Sequence, residues 1–282
     1  MSGAPLHANV RFWRDPALPG VEARSATYTR HAFRTHTHTA WTIALVEAGR
    51  THFSLGTQDK RHTAQTGQMV VIAPQTPHAC NPEPGSGFSY RLLALAPGWL
   101  AGTAGTEPPP HFPGPVLDDP ALFSAWRDLH EAFVWGAPAA HKQTLVMACL
   151  RELVAHHAAP PAASTPLTNP AVETARRAIA ASPGAWVSLD RLAHLAGLSR
   201  HHFLRVFKAA TGLPPHAYQM QQAIEHAKAL LAEGLPISRA ALDAGFADQS
   251  HFSRCFRQFT GATPRQYCDN VPCNAWPAPQ NP

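Results

Sequence analysis

The chain has 282 residues, 45% of them hydrophobic, which is enough for two ordinary domains with cores of their own and excludes wholesale disorder. No run approaches the roughly 18 apolar residues of a membrane helix, and the stretch from Met1 to Arg14 lacks an apolar signal-peptide core, so a cytoplasmic protein with no membrane partner is expected. The net charge of +5 names no partner, but 11 Lys and Arg face 7 Asp and Glu from Thr165 onward, a local net of +4 that leaves +1 before it, as phosphate neutralisation would require and an ordinary surface would also allow.

Cys80, Cys149, Cys255, Cys268 and Cys273 are odd in number and scattered, which argues for reduced thiols over a disulfide framework or a four-thiolate zinc site. The first hundred residues read as strands broken by turns. Thr39 to Glu47, Thr51 to Leu55, Gln68 to Ile72 and Phe88 to Leu95 are rich in β-branched and aromatic residues, with Ala48-Gly49-Arg50, Gly56 to Asp59 and Gly67 as punctuation. Many short strands without a helical period point to an all-β barrel or sandwich. After the Pro-rich stretch Glu107 to Pro115, Leu122, Trp126, Leu129 and Phe133, and then Leu145, Val146, Cys149, Leu150 and Leu153, recur at helical spacing on either side of Gly136-Ala137-Pro138. Ala158 to Pro170 has a linker's composition, so the boundary between domains is expected there.

Beyond the linker the pattern is helical. Ala171 to Ala181 makes one helix; Ser188 and Ser199 can cap the next two, which flank Gly197-Leu198; and Ala217 to Ala232 makes a longer one. An internal repeat then becomes visible. Ala196-Gly197-Leu198 returns as Ala244-Gly245-Phe246, while Phe203, Arg205, Phe207, Gly212, Pro215 and Tyr218 return 49 residues later as Phe252, Arg254, Phe256, Gly261, Pro264 and Tyr267. Two copies of a short helix, a turn and a helix with paired Phe residues outline a duplicated helix-turn-helix, although a purely structural α-hairpin has the same outline.

The outward faces favour the first reading. His201, Leu204, Arg205 and Lys208 share one side of the first copy's second helix, and Gln249, Ser250, Ser253, Arg254 and Arg257 share that side of the second. Arg can donate two bonds to guanine, Gln can bracket adenine, and Ser can meet bases or phosphates. A solvated helix surface could carry the same residues. The intervening helix would space the two modules by about one turn of DNA, roughly 34 Å.

Residues 241–267, with their turn, paired Phe residues and terminal Gly261-Ala-Thr-Pro264-Arg-Gln-Tyr267, resemble the signature of the AraC/XylS family of transcription regulators, and Ser188 to Leu231 resembles the preceding half of that domain. The resemblance implies a seven-helix double helix-turn-helix domain with two recognition helices in adjacent major grooves. It carries over His201, Leu204 and Arg205, then Gln249, Ser250, Ser253 and Arg254, as base-facing candidates. Gln222 stands where many members carry Arg, and Leu204 occupies a slot often polar, which leaves it a thymine methyl or a neighbouring helix to touch. The N-terminal half resembles the family's sensor, a cupin-like β-barrel with trailing helices that pair subunits, on its strand pattern, on Pro74-x-x-Pro77-His78 and on the two pre-linker helices.

The expected architecture is therefore an α+β multidomain chain. Residues 1–160 form a cupin-like sensor and dimerisation domain, 165–270 the all-α DNA-binding domain, and 271–282 a flexible tail. It is expected to be an effector-responsive regulator and an activator, and its expected partners are a double-stranded promoter site, a small-molecule effector, a second copy of itself and, if it activates, RNA polymerase. The effector pocket is expected at His36, His38, Trp41, Phe53 and His78, in a barrel lined by Trp41, Ile43, Phe53, Met69 and Val71. His36 and His38, two apart in a strand, would point the same way and His78 could join them, so these three are candidates for a metal. Cupin metal sites also use a Glu shortly after the paired His, where this chain has Thr42 or Ile43, and the Pro74 to His78 spacing is one residue short. No metal or cofactor is therefore expected. No nucleophile elbow, phosphate loop or nucleotide fingerprint is present, so an enzyme is not expected. A metallo-cupin enzyme fused to a DNA-binding domain and a helical interaction protein that ignores DNA are the rival readings.

Overall fold

The structure is a computed structural model that describes residues 9–29, 33–57, 60–83, 87–104, 110–159, 169–181 and 183–269. The expected tail at 271–282 and nearly all of the expected linker, with the domain boundary in it, lie outside the described residues.

Among the described residues eight strands come first: β1 (Asn9–Arg14), β2 (Val21–Tyr28), β3 (Trp41–Ala48), β4 (Arg50–Leu55), β5 (Lys60–Gln65), β6 (Met69–Ile72), β7 (His78–Pro82) and β8 (Phe88–Leu95). A helix α1 (Pro97–Ala104) and a short strand β9 (Val116–Leu117) follow. The four strands expected from composition correspond to β3, β4, β6 and β8. The segment from His36 to His38 is not part of a strand; His36 makes only an isolated bridge to His78.

The cupin-like β-barrel expected from the sequence is overturned. All ladders are antiparallel, and they make a six-stranded sheet in the order β1-β2-β8-β3-β6-β9 and a separate three-stranded sheet β5-β4-β7. No ladder among the described residues joins the outer strands, so the sheet stays open. The physical reason lies at its edges. The strand β9 contributes only Val116 and Leu117, paired with Val70 and Met69, too little to carry the sheet round. At the other edge Phe12 of β1 meets the ring of Tyr267, far along the chain, edge-on at 5.0 Å. Helical packing covers this outer strand where a closed fold would need another strand.

Period-two alternation gives the large sheet two buried faces. Trp41, Ile43 and Leu45 of β3, Met69 and Val71 of β6, and Leu93 and Leu95 of β8 pack beneath α2 (Pro120–Val134) and α3 (Ala139–His157) against Trp126, Leu129, Val146 and Leu150. Helix α2 starts cleanly because Asp119 accepts the Leu122 amide at 3.0 Å and Pro120 needs no hydrogen-bond partner at the first helical position. The alternate residues Thr42, Ala44, Val46, Val70 and Ile72 turn the other way, towards the small sheet.

Seven helices follow among the described residues: α4 (Pro170–Ala180), α5 (Leu189–Leu195), α6 (Arg200–Thr211), α7 (Pro215–Ala232), α8 (Ile237–Asp243), α9 (Gln249–Thr260) and α10 (Pro264–Asp269). The first helix-turn-helix, α5 and α6, has a core of its own with Val172, Ile179, Leu192, Phe203 and Phe207. The second, α8 and α9, does not stand apart. Ile224, Ala227, Phe252, Phe256 and Tyr267 belong to one apolar cluster with Val10, Phe12, Ala26, Tyr28 and Phe88 of the β-sheets. No helix of the described residues is long and apolar enough to cross a membrane.

Candidate DNA interface and effector cavity

The two helix-turn-helix copies repeat each other down to single hydrogen bonds. Ser199 caps α6 by accepting the His202 amide at 3.4 Å, and Asp248 caps α9 by accepting that of His251 at 2.7 Å. At the far ends the Thr211 hydroxyl donates to the Phe207 carbonyl at 2.8 Å, and the Thr260 hydroxyl donates to that of Phe256 at 2.8 Å. Gly212 and Gly261 then end the helices with φ of 72° and 74°, a left-handed conformation that costs a side-chain-bearing residue about 1–2 kcal/mol. Phe203, Phe207, Phe252 and Phe256 are fully buried and fix which face of each helix looks outward.

On those outward faces His201, Arg205 and Lys208 of α6 and Gln249, Ser250 and Arg254 of α9 are exposed, while Leu204, Ser253 and Arg257 are half-buried. Leu204 borders a groove shared with Trp186, Pro214 and Pro215, which explains its apolar character without a base contact. Gln222 lies beside Trp186 and His226 in another surface depression. The spacer α7 has 18 residues and so spans about 27 Å. On it Gln219 accepts the Val187 amide at 2.8 Å and donates to the Val187 carbonyl at 3.0 Å, which ties the loop before α5 to the spacer.

Between the two sheets lies a cavity of about 60 Å³, bordered by His36, His38 and His78, by Thr42, Ala44 and Val46 of β3, and by Arg24, Phe33 and Tyr90. The structure brings the three histidines together, with ring centroids 4.4 to 5.0 Å apart. Trp41 and Phe53 do not join them. Trp41 lies on the helix-covered face of β3, edge-on to Phe112 at 5.6 Å, and Phe53 stacks on His62 at 5.3 Å. Ile43, Met69 and Val71, expected as lining, are under α2 and α3 as well.

Burial in this cavity favours the neutral forms of its three imidazoles and its thiol. Burial, then the neighbouring His78, lowers His36 to about 3; burial lowers His78 to about 4 and takes His38 well below the ordinary imidazole value. Burial pushes the Cys80 thiol up to about 12, so it is no nucleophile. Arg24, which the sequence reading missed, is the buried cation here. It donates to the Tyr28 hydroxyl at 2.5 Å, lies near the rings of Phe12, Phe33 and Tyr90, and its Nε has no hydrogen-bond partner among the described residues. Its sequence signal is faint: it shares strand parity with Ala26 and Tyr28.

The cavity wall is also the contact with the helical half. The Tyr28 hydroxyl donates to the Gly261 carbonyl at 3.3 Å, and a Cβ on Gly261 would press on Tyr28, Arg24 and Phe33. Its repeat equivalent Gly212 lies against Pro77. Thr37, between two of the histidines, is bonded to Gln221 of α7. Both α6 and α9 thus end against the β-sheet half.

Comparison with known proteins gives two family models on this chain, an AraC-like ligand binding domain over residues 18–154 and a helix-turn-helix domain over residues 192–270. The uncharacterized HTH-type transcriptional regulator YbfI of Bacillus subtilis is 28% identical over 242 residues, covering 84% of this chain and 87% of that one. The probable transcriptional regulator LumQ of Photobacterium leiognathi is 37% identical over 82 residues, covering 29% of this chain and 33% of LumQ. Among solved structures, ToxT from Vibrio cholerae O395 aligns over 93% of this chain and 97% of its own with a TM-score of 0.56 at 8% identity, a likeness of fold.

Proposed function

The chain belongs to the AraC/XylS family of helix-turn-helix transcription regulators, and from that premise we propose how its two halves divide the work. It is an effector-responsive, DNA-binding regulator rather than an enzyme. In our reading residues 165–270 bind the promoter, and residues 1–160 sense the effector and pair two copies. His201, Arg205 and Lys208 enter one major groove, and Gln249, Ser250, Ser253, Arg254 and Arg257 the next.

The observation that carries the DNA reading is the atom-level repetition of α6 and α9 on either side of the 18-residue spacer α7. The test is binding of the full-length protein to genomic fragments at rising salt. Enrichment of one promoter region, with affinity falling steeply with salt, supports it; equal binding to all fragments overturns it.

The effector is an organic molecule with an anionic or carbonyl oxygen for the unpartnered Arg24 Nε. The cavity is smaller than the about 300 Å³ of an ordinary ligand site, so such a molecule must part the walls it enters. Arg24 and Phe33 are walls that also lie where a Cβ on Gly261 would point, so an effector that moves them meets different contacts in the docked and undocked arrangements, as any ligand-driven switch requires. RNA polymerase is the further partner if the protein activates.

A further inference from the structure

We propose that His36, His38 and His78 form a binding site for a divalent first-row transition metal, with zinc as its type ion. The sequence argued against this, because no carboxylate follows the paired histidines. The geometry argues for it. One ring nitrogen from each of the three residues lies within 4.8 Å of the others, close enough for small side-chain rotations to bring all three onto one ion.

The ring protons are placed for it. The Nδ1 of His36 faces the Arg34 carbonyl at 2.7 Å, and that of His78 faces the Thr76 carbonyl at 2.8 Å. A carbonyl can only accept, so both Nδ1 atoms carry hydrogen and both Nε2 atoms keep a lone pair. No donor among the described residues reaches those Nε2 atoms. An imidazole whose other nitrogen donates to a backbone carbonyl is the usual state of a metal-bound histidine, because that bond sets the tautomer and the ring orientation.

The backbone holds all three ligands in place before any ion arrives. His36 and His78 exchange amide-to-carbonyl bonds at 2.9 and 2.8 Å, and the Gln75 amide donates to the His38 carbonyl at 2.7 Å. Thr37 between the paired histidines is held from the other side by Gln221. The cavity of about 60 Å³ that these rings border has room for an ion and a water in its fourth position, and His38, the half-buried member, gives the ion a way in. Three neutral ligands leave the ion's charge uncompensated, so the fourth ligand is a water or an exchangeable anion. The site does not depend on the DNA-binding reading, since it lies wholly in the β-sheet half.

The test uses the full-length protein dialysed against a chelator and titrated with Co²⁺, then with Zn²⁺, followed by visible absorption and thermal melting. The expected result is one equivalent of Co²⁺ per chain in a four- or five-coordinate spectrum without a thiolate charge-transfer band. Zinc should displace it and raise the melting temperature. His36→Ala and His78→Ala should weaken Co²⁺ binding about 100-fold or more, and His201→Ala should leave it unchanged. If a histidine variant does not fold, X-ray absorption on the wild-type zinc form decides, with three imidazoles at about 2.0 Å expected. Wild-type protein that takes up no metal, metal retained by folded His36→Ala and His78→Ala variants, or a coordination shell without three imidazoles would each overturn the site.

Discussion

Gln221 reads the backbone of Thr37 as a neighbouring strand would: its side-chain oxygen accepts the Thr37 amide at 2.8 Å, and its side-chain nitrogen donates to the Thr37 carbonyl at 2.6 Å and to the hydroxyl. The two residues stand 184 apart in the sequence and are both buried, so the spacer α7 is fastened to the segment that carries His36 and His38.

Gln221→Ala strands the Thr37 amide and carbonyl in a buried place, which costs about 1–3 kcal/mol. Hydrogen exchange at Thr37 should quicken and the urea midpoint should fall. Gln219→Ala, which loses the equivalent bonds to Val187, is the control. It should cost a similar amount and leave exchange at Thr37 slow; quickened exchange in the control would mean that the whole of α7 loosens instead.

Gly261→Ala should destabilise the full chain by more than the same change in an ordinary helix-ending glycine. The left-handed backbone alone costs about 1–2 kcal/mol, and the new methyl presses on Tyr28, Arg24 and Phe33. Adding Tyr28→Ala should return part of the loss. Strict additivity of the two changes in a double-mutant cycle would show that the two residues are not in contact.

Arg254→Ala should weaken binding to the selected promoter site by about 1–3 kcal/mol while leaving random duplexes nearly unaffected, because a guanidinium on a base edge supplies discrimination that phosphate contacts do not. Gel-shift titrations on both duplexes measure this. Equal losses on the two would make Arg254 a backbone contact.

Stability should fall as the solution is acidified from neutrality, with His130 as one cause. Burial lowers its pKa from 6.5 to about 4, against the opposing pull of its bond to the Arg24 carbonyl, with Arg91 lowering it and Glu131 raising it slightly. The unfolded chain takes up a proton at this residue below about pH 6.5 and the folded one does not. Its contribution is therefore whole above that pH, shrinks down to about pH 4, and amounts to a loss on the order of 3 kcal/mol. Melting curves of His130→Gln should lose that part of the slope between pH 6.5 and 4; an unchanged slope would show that His130 titrates normally.

The helical half was legible almost residue by residue. Ser188 and Ser199 as caps, the glycines after each helix and the paired Phe residues are short-range features, and each specifies its own turn of backbone wherever the rest of the chain lies. The β-sheet half was legible only as strands. Trp41, Ile43, Phe53, Met69 and Val71 read in the sequence as the lining of a barrel; four of them share the helix-covered face and Phe53 lies on the small sheet, because alternation does not say which of two apolar faces meets helices and which borders a cavity. Since α2 and α3 cover that face, the cavity fell to Thr42, Ala44 and Val46, residues with no mark of their own in the sequence.

By itself, then, the sequence determined the duplicated helix-turn-helix and the residues that face outward from α6 and α9, because local periodicity and caps set these, and it carried the family as a resemblance of residues 241–267 to a known signature. The tertiary structure alone decided that the sheet stays open, that Arg24 is buried beside the three histidines, and that Gln221 meets Thr37 and Gly261 meets Tyr28. Those pairings depend on how two halves of the chain pack on each other, and no spacing along a single segment encodes a contact between residues so far apart.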